Sequence, residues 1–235
     1  MANEDSHHVE DRIASLFRRA LLLKEAGQLE ESIQVGLLAM EQTRQALDVH
    51  SHFSRSMINL IAGTYFDQRN LLVSRALFEW LSRTAREAGS DQRTTAIVDS
   101  NRGHCLLHEG HYDEAVPLLK DAFDRLVPLD PAAALQSLHG VAWSAFHLGL
   151  YDLAADFHRT VLDARLRLLP PEDIEIANSF FNLATALDKA GRPEEAAFVC
   201  ARRARLEGQA GRRPYPRHHG SLRTSEPAPA AGQIR

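Results

Sequence analysis

The sequence is poor in the features that mark disulfide-rich, membrane and nucleotide-binding proteins. Only two cysteines occur in 235 residues, Cys105 and Cys200, too few for a disulfide framework or a four-cysteine zinc site. No apolar stretch approaches the roughly 18 residues that a membrane span needs. The opening segment, Met1 to Asp11, is polar and acidic where a secretion signal would be basic and then apolar, so the expected location is cytoplasmic. There is no Gly-x-Gly-x-x-Gly, no Gly-x-x-x-x-Gly-Lys-Ser/Thr, no Gly-x-Ser-x-Gly and no His-Glu-x-x-His, which removes the usual nucleotide, hydrolase and metalloprotease signatures. Runs with a period of two and rich in β-branched residues are missing, which argues against sheet. Lysine is nearly absent: Lys24, Lys120 and Lys189 stand against 24 arginines, a composition compatible with a GC-rich bacterial genome.

What remains is a chain with 44% hydrophobic and 25% charged residues, ordinary for a globular protein. Its net charge of −4 conceals a split. Residues 201–235 carry eight arginines against Glu207 and Glu226, a balance of +6, so the first 200 residues hold −10. Five of these arginines lie from residue 208 onward; Arg202, Arg203 and Arg205 fall on the last helical segment, where cations suit a C-terminal end. Apolar residues recur at three- and four-residue steps, as in Ile13, Leu16, Phe17, Ala20, Leu21 and in Phe180, Phe181, Leu183, Ala184, Leu187. That spacing draws one stripe along a helix and predicts an all-α body.

The helical segments are punctuated at regular intervals. Turns begin at Gly27, Gly110, Gly149 and Gly191, each followed closely by the start of a new amphipathic segment. A glycine there can take the left-handed conformation that closes a helix, and the acidic residues that follow suit a helix N-terminus. The intervals are 149 − 110 = 39, 191 − 149 = 42 and 110 − 27 = 83, the last about twice the others, which predicts a hidden turn at Gln68-Arg69-Asn70. Asn70 is favoured as the residue closing that turn because asparagine tolerates the left-handed region best after glycine; Arg69 gives a slightly better packing register. Seven residues before each turn stands a small residue (Ala20, Ala62, Gly103, Ala142, Ala184), and five after it another (Ser32, Ser74, Ala115, Ala154, Ala196). Facing pairs of small residues let two helices approach closely. Pro128, Pro131, Pro170 and Pro171 fall between repeats, and Asp91 and Asp130 are expected N-caps.

This pattern resembles the tetratricopeptide repeat family, in its longer variant of about 40 to 42 residues found in kinesin light chains and many bacterial regulators. The clearest stretch is Val161 to Leu206, with Asn182-Leu183-Ala184 and Gly191-Arg-Pro-Glu-Glu-Ala196. The resemblance implies a right-handed superhelical array of about five antiparallel helix pairs over residues 11–207, preceded by a flexible N-terminus, 1–10. The Pro-, Gly- and Arg-rich composition of 208–235 predicts a disordered basic tail.

In such an array the first helix of each pair lines a groove. Counting back three, six, ten and thirteen residues from each turn marks its lining. Repeat one supplies Phe17 and Leu21 beside Ala14 and Lys24; repeat two supplies Asn59 and Phe66 beside Ser56 and Gly63. Repeat three supplies His104 and Leu107 with Ile97 and Ser100. The fourth contributes Gln136, His139, Trp143 and Phe146, and the last contributes Asn178, Phe181, Thr185 and Asp188. Large apolar groups flanked by amides and imidazoles compose a binding strip, with Trp143 and Phe146 as anchors and Asn59, Gln136 and Asn178 able to pair with a peptide backbone.

The function expected from this is a non-catalytic scaffold that binds a protein or peptide segment. The alternative is a regulatory sensor responding to a ligand or peptide, and a third reading is an enzyme using His104 and His139. No cofactor and no membrane partner are expected, a nucleic-acid partner is disfavoured because the basic tail lacks interleaved aromatics, and self-association through the open ends is allowed. His104, His108 and His111 lie close enough for a metal site to be conceivable, but satisfied or surface histidines explain them better, and no metal is expected. Both cysteines register on packed stripes and are expected to be inert.

Overall fold

A computed structural model describes residues 2–46 and 52–209, with side chains placed from 11 to 44 and from 53 to 206. Ten α-helices follow one another: α1 (Ala2–Glu25), α2 (Leu29–Ala46), α3 (His52–Asp67), α4 (Leu71–Glu87), α5 (Gln92–Glu109), α6 (Tyr112–Leu126), α7 (Pro131–His147), α8 (Tyr151–Leu168), α9 (Ile174–Lys189) and α10 (Pro193–Gln209). No strand occurs among the described residues. Each helix packs on the next, and α5 also touches α7 while α1 touches α3. The described residues therefore form a series of five hairpins, with contacts between first helices at α1–α3 and α5–α7.

The hairpin turns are built alike. Gly27, Gly110, Gly149 and Gly191 have φ of 77°, 85°, 78° and 75°. In each turn the next residue donates its N–H to a carbonyl five positions back: Gln28 to Leu23, His111 to Leu106, Leu150 to Ala145 and Arg192 to Leu187, all at 2.9 Å. This bond satisfies carbonyls that a helix end otherwise leaves open. The second hairpin follows the same geometry with Arg69 in the left-handed position at φ 64°, and Asn70 donates to the Tyr65 carbonyl at 2.9 Å. The choice of Asn70 as the left-handed residue is thus corrected to Arg69. Asn70 instead caps α4, its side chain accepting from Val73 N–H. Tertiary register outweighs the intrinsic preference of asparagine, because sliding the turn by one residue would rotate all of α4 away from its partner.

The paired small residues meet where expected. Ala20, Ala62, Ala142, Ala115 and Ala154 are fully buried. Ser32 Oγ donates to the Ala20 carbonyl at 2.7 Å, and Ser74 Oγ to the Ala62 carbonyl at 2.8 Å. A Cβ added to Gly103 would stand 2.7 Å from Leu119 Cγ, so α5 and α6 require glycine there. Asp91 and Asp130 cap α5 and α7, accepting from Thr94 N–H at 2.9 Å and Ala133 N–H at 3.0 Å. Between hairpins, the buried Asp99 carboxylate accepts from Ser82 at 2.6 Å, Arg86 at 2.7 Å and Arg125 at 2.6 Å, tying α4, α5 and α6 together.

Several expectations are revised. Helix α1 begins at Ala2 and so takes in residues 2–10, ahead of the expected repeat boundary at 11. Helix α10 runs on to Gln209, which places Arg202, Arg203 and Arg205 inside it rather than in its last turn. Arg202 lies over the Phe180 ring, 5.8 Å from its centroid, and 3.9 Å from Asp163, bridging α10 to α8 and α9. Cys105 is buried as expected, but Cys200 is exposed on α10, the last of the described helices. Of the tail expected at 208–235, residues 210–235 lie outside the described residues.

Candidate functional site

Three consecutive odd-numbered helices, α5, α7 and α9, enclose a cavity of about 160 Å3. Six of the residues counted from the sequence line it: His104, Leu107, Gln136, His139, Trp143 and Asn178. Four others join them: His108 from α5, Gly140 from α7, Arg165 from α8 and Glu175 from α9. Gly140 is required by closeness, since a Cβ there would lie 2.9 Å from His104 Cε1 and 2.8 Å from Leu119 Cδ1.

Arg165 is 2% exposed, and its charge is paired. Its guanidinium is 2.7 Å from the Glu175 carboxylate, donates to Ser179 Oγ at 2.8 Å and reaches the Glu175 carbonyl at 3.3 Å. Burial lowers its pKa and Glu175 with Asp173 oppose that shift. The charge on the cavity's floor is therefore paired, which is the condition under which a buried ion is tolerated.

The histidines are the unusual element. His104 is 7% exposed and His158, just behind the cavity on α8, is 2% exposed. Burial, with His108 nearby, pushes the His104 imidazole down to about 4. Burial and the Arg69 and His147 charges bring His108 to about 4, and burial with Arg165 does the same for His158. His139, whose ring centroid is 5.5 Å from that of His158, is held well below the usual imidazole range by burial and then by His158, Arg165, His104 and His108. These rings are neutral at physiological pH. Shielded nitrogens on His104 (Nε2), His108 (Nε2), His139 (Nδ1) and His158 (Nδ1) have no hydrogen-bond partner among the described residues.

The remaining counted residues do not form one exposed strip. Leu107, besides lining the cavity, is 3% exposed and belongs to the core with Leu106 and Val141. Phe17 packs edge-on to Phe53 (5.9 Å between centroids), Phe66 edge-on to His108 (5.1 Å), and Phe146 edge-on to Tyr151 (5.3 Å). Trp143 is half-buried, with its ring 4.8 Å from His147. The expected wall of exposed aromatics is thus revised: Phe17 and Phe66 pack against the next hairpin, at Phe53 and His108, and Phe146 packs against Tyr151 on the second helix of its own. Exposed at the surface are Leu21 (39%), Phe181 (51%), Asn59 and Asp188. Thr185 is half-buried and donates to the Phe181 carbonyl. His111 lies exposed at the start of α6, and no three His, Cys, Asp or Glu side chains converge as metal ligands among the described residues.

Arg165, Glu175, His108 and His158 were missed as site residues: Arg165 and His158 stand on α8, the second helix of its pair, and His108 and Glu175 stand on first helices but two and sixteen residues before their turns, outside the counted steps. One signal for Arg165 was present: it continues the apolar stripe Val161, Leu162, where a charge demands a buried partner.

No family model and no curated protein matches the chain. Solved structures match its fold. BtubC (BKLC) from P. vanneervenii aligns with a TM-score of 0.74 at 18% identity, covering 96% of this chain and 93% of that one. The nearly identical TPR-like repeats of a kinesin light chain from Podosopora anserina align at 0.69 and 16% identity, covering 86% and 98%. The Rap conjugation gene regulator of plasmid pLS20, solved with the Phr* peptide, aligns at 0.70 and 13% identity over 89% of this chain and 57% of that one. Among the described residues no helix is long and apolar enough to cross a membrane. With five hairpins, a common turn geometry and these structural likenesses, the chain has the fold of a tetratricopeptide-like α-solenoid of the kinesin-light-chain type.

Proposed function

We propose that this protein is a non-catalytic module that binds a peptide or protein segment along the face made by its odd-numbered helices. The observation that carries this reading is the cavity between α5, α7 and α9, where residues of three separate repeats contribute imidazole, amide and indole groups to one concave site. Sites of this composition, mostly closed and with a few polar groups, suit recognition of a side chain. Phe181, half exposed on α9, offers a second apolar surface beside α10. The likeness to a Rap regulator solved with a peptide supports a peptide as the class of partner and favours, as a second reading, a regulatory role in which the bound peptide alters the array.

Peptides selected by display against the full chain provide the test. Phe181→Ala, an exposed position, is expected to weaken the selected peptides by about 1 kcal/mol or more without loss of helical circular dichroism. Trp143→Ala is expected to weaken them as much, with a small stability loss because the ring is half-buried. Unchanged affinity in both variants would refute the reading.

A further inference from the structure

Two of the cavity's three histidines, His104 and His108, form a bare acceptor and a bare donor on one helix, and this pairing specifies a ligand group. The Gln136 backbone carbonyl accepts from His104. Since Nε2 of that ring has no partner, the donor is Nδ1–H, and a neutral His104 presents Nε2 as a lone-pair acceptor. His108 has the opposite arrangement. Its Nδ1 faces the Arg69 guanidinium at 3.5 Å, and a guanidinium only donates, so Nδ1 accepts and the ring proton sits on Nε2. That N–H is shielded and unpartnered. The two rings stand four residues apart on α5, one helical turn, and both line the cavity.

Charge narrows the choice further. The Arg165 cation is neutralised by Glu175 at 2.7 Å, and burial holds both rings uncharged near neutral pH. A carboxylate or an ammonium entering this space would lose its hydration without gaining a counter-charge. An uncharged group that donates and accepts side by side would satisfy both nitrogens, with Gln136 and Asn178 amides close by and the Trp143 ring as an apolar wall. The volume, about five waters at ~30 Å3 each, suits one side chain of moderate length.

We propose that the α5–α7–α9 cavity is a specificity pocket for a carboxamide side chain, glutamine or asparagine, of the bound peptide, its carbonyl accepting from His108 Nε2–H and its amide N–H donating to His104 Nε2. The pocket rests on the groove reading above, since it supposes a peptide partner, but its chemistry is tested separately.

The probes are N-acetyl-glutamine N-methylamide and N-acetyl-glutamate N-methylamide, titrated at neutral pH into the full chain carrying isotope-labelled histidine and read by ring nitrogen NMR. The glutamine probe is expected to shift the His104 and His108 resonances saturably, with a Kd in the millimolar range typical of one anchor group, and to bind about tenfold tighter than the glutamate probe. His108→Phe, a change at a half-buried position near the helix end, is expected to abolish that preference. His104→Gln provides a second variant should His108→Phe disturb the fold. Equal or tighter binding of the glutamate probe, accompanied by proton uptake, would overturn the proposal in favour of a carboxylate site. Absence of a saturable shift with the glutamine probe would overturn it outright, yet leave the groove reading to stand or fall on the Phe181→Ala and Trp143→Ala measurements.

Discussion

The Ser74 hydroxyl donates to the Ala62 carbonyl across the α3–α4 hairpin at 2.8 Å, and Ser32 makes the same contact to Ala20 in the preceding hairpin. The equivalent positions in the later hairpins are Ala115, Ala154 and Ala196. The position therefore demands small size first and a hydroxyl second. Ser74→Ala is expected to cost about 1 kcal/mol, the net worth of one buried hydrogen bond. Ser74→Leu is expected to cost at least ~2–3 kcal/mol by overpacking. Urea unfolding of the two variants checks the order; a costlier alanine would contradict it.

At Arg69 a residue with a Cβ occupies the left-handed region that glycine holds in the other four hairpin turns. Arg69→Gly is expected to relieve strain of roughly 1 kcal/mol, reduced by glycine's greater freedom when unfolded, for a net gain of about 0.5 kcal/mol. Asn70→Gly at the neighbouring position is expected to bring no gain, since Asn70 is outside that region and caps α4. Thermal unfolding of both variants distinguishes the two positions.

The two cysteines are expected to differ sharply in reactivity. Burial raises the Cys105 thiol to about 11, against the opposing contact from Ser74, whereas Cys200 lies exposed on α10. Alkylation of the native chain at neutral pH should label Cys200 promptly and Cys105 only on unfolding, as mass spectrometry of the peptides would report. Prompt labelling of Cys105 would mean that the α4–α5 joint opens readily.

Much of this architecture could be read from residue spacing. The turns at Gly27, Gly110, Gly149 and Gly191 were visible because only glycine enters the left-handed region freely. The small-residue pairs were visible because close helix approach leaves no room for anything larger. The Arg69 turn was ambiguous because its conformation is imposed by the packing of α4, not by a local preference. For the site, counting back from each turn found His104, Gln136, His139, Trp143 and Asn178, which share an inner face by helical periodicity alone. It did not find Arg165 or Glu175, whose approach depends on how α8 tilts against α9. It also over-counted the aromatics: Phe17 and Phe66 pack against the next hairpin and Phe146 against the second helix of its own, and spacing within one helix does not report the distance to its neighbour.

Acid should destabilise the fold through its histidines. The rings of His104, His108 and His158 titrate near 4 when folded, against about 6.5 in an unfolded chain. Between these values the unfolded state binds more protons, so stability is fully present above the unfolded pKa and is lost as pH falls toward 4. Three protons correspond to at most about 4 kcal/mol per pH unit. The charged neighbours are Arg69 and His147 beside His108, and Arg165, itself paired with Glu175, beside His139 and His158; the cations add to the depression. The capping carboxylates Asp91 and Asp130 are held below their ordinary range of 3.8 and act only under more acid conditions. The melting temperature is expected to fall steeply from pH 6.5 to 4.5, and less steeply in His139→Gln. A flat profile would mean that the rings are solvated.

The central claim, that the odd-numbered helices form the binding face, is tested most directly by amide hydrogen exchange of the full chain with and without a display-selected peptide. The account predicts added protection centred on α5, α7 and α9, around His104, His139 and Asn178, with α6 and α8 changed little on their outer sides. Protection confined to the even-numbered helices, or to α10 around the exposed Phe198, would contradict it.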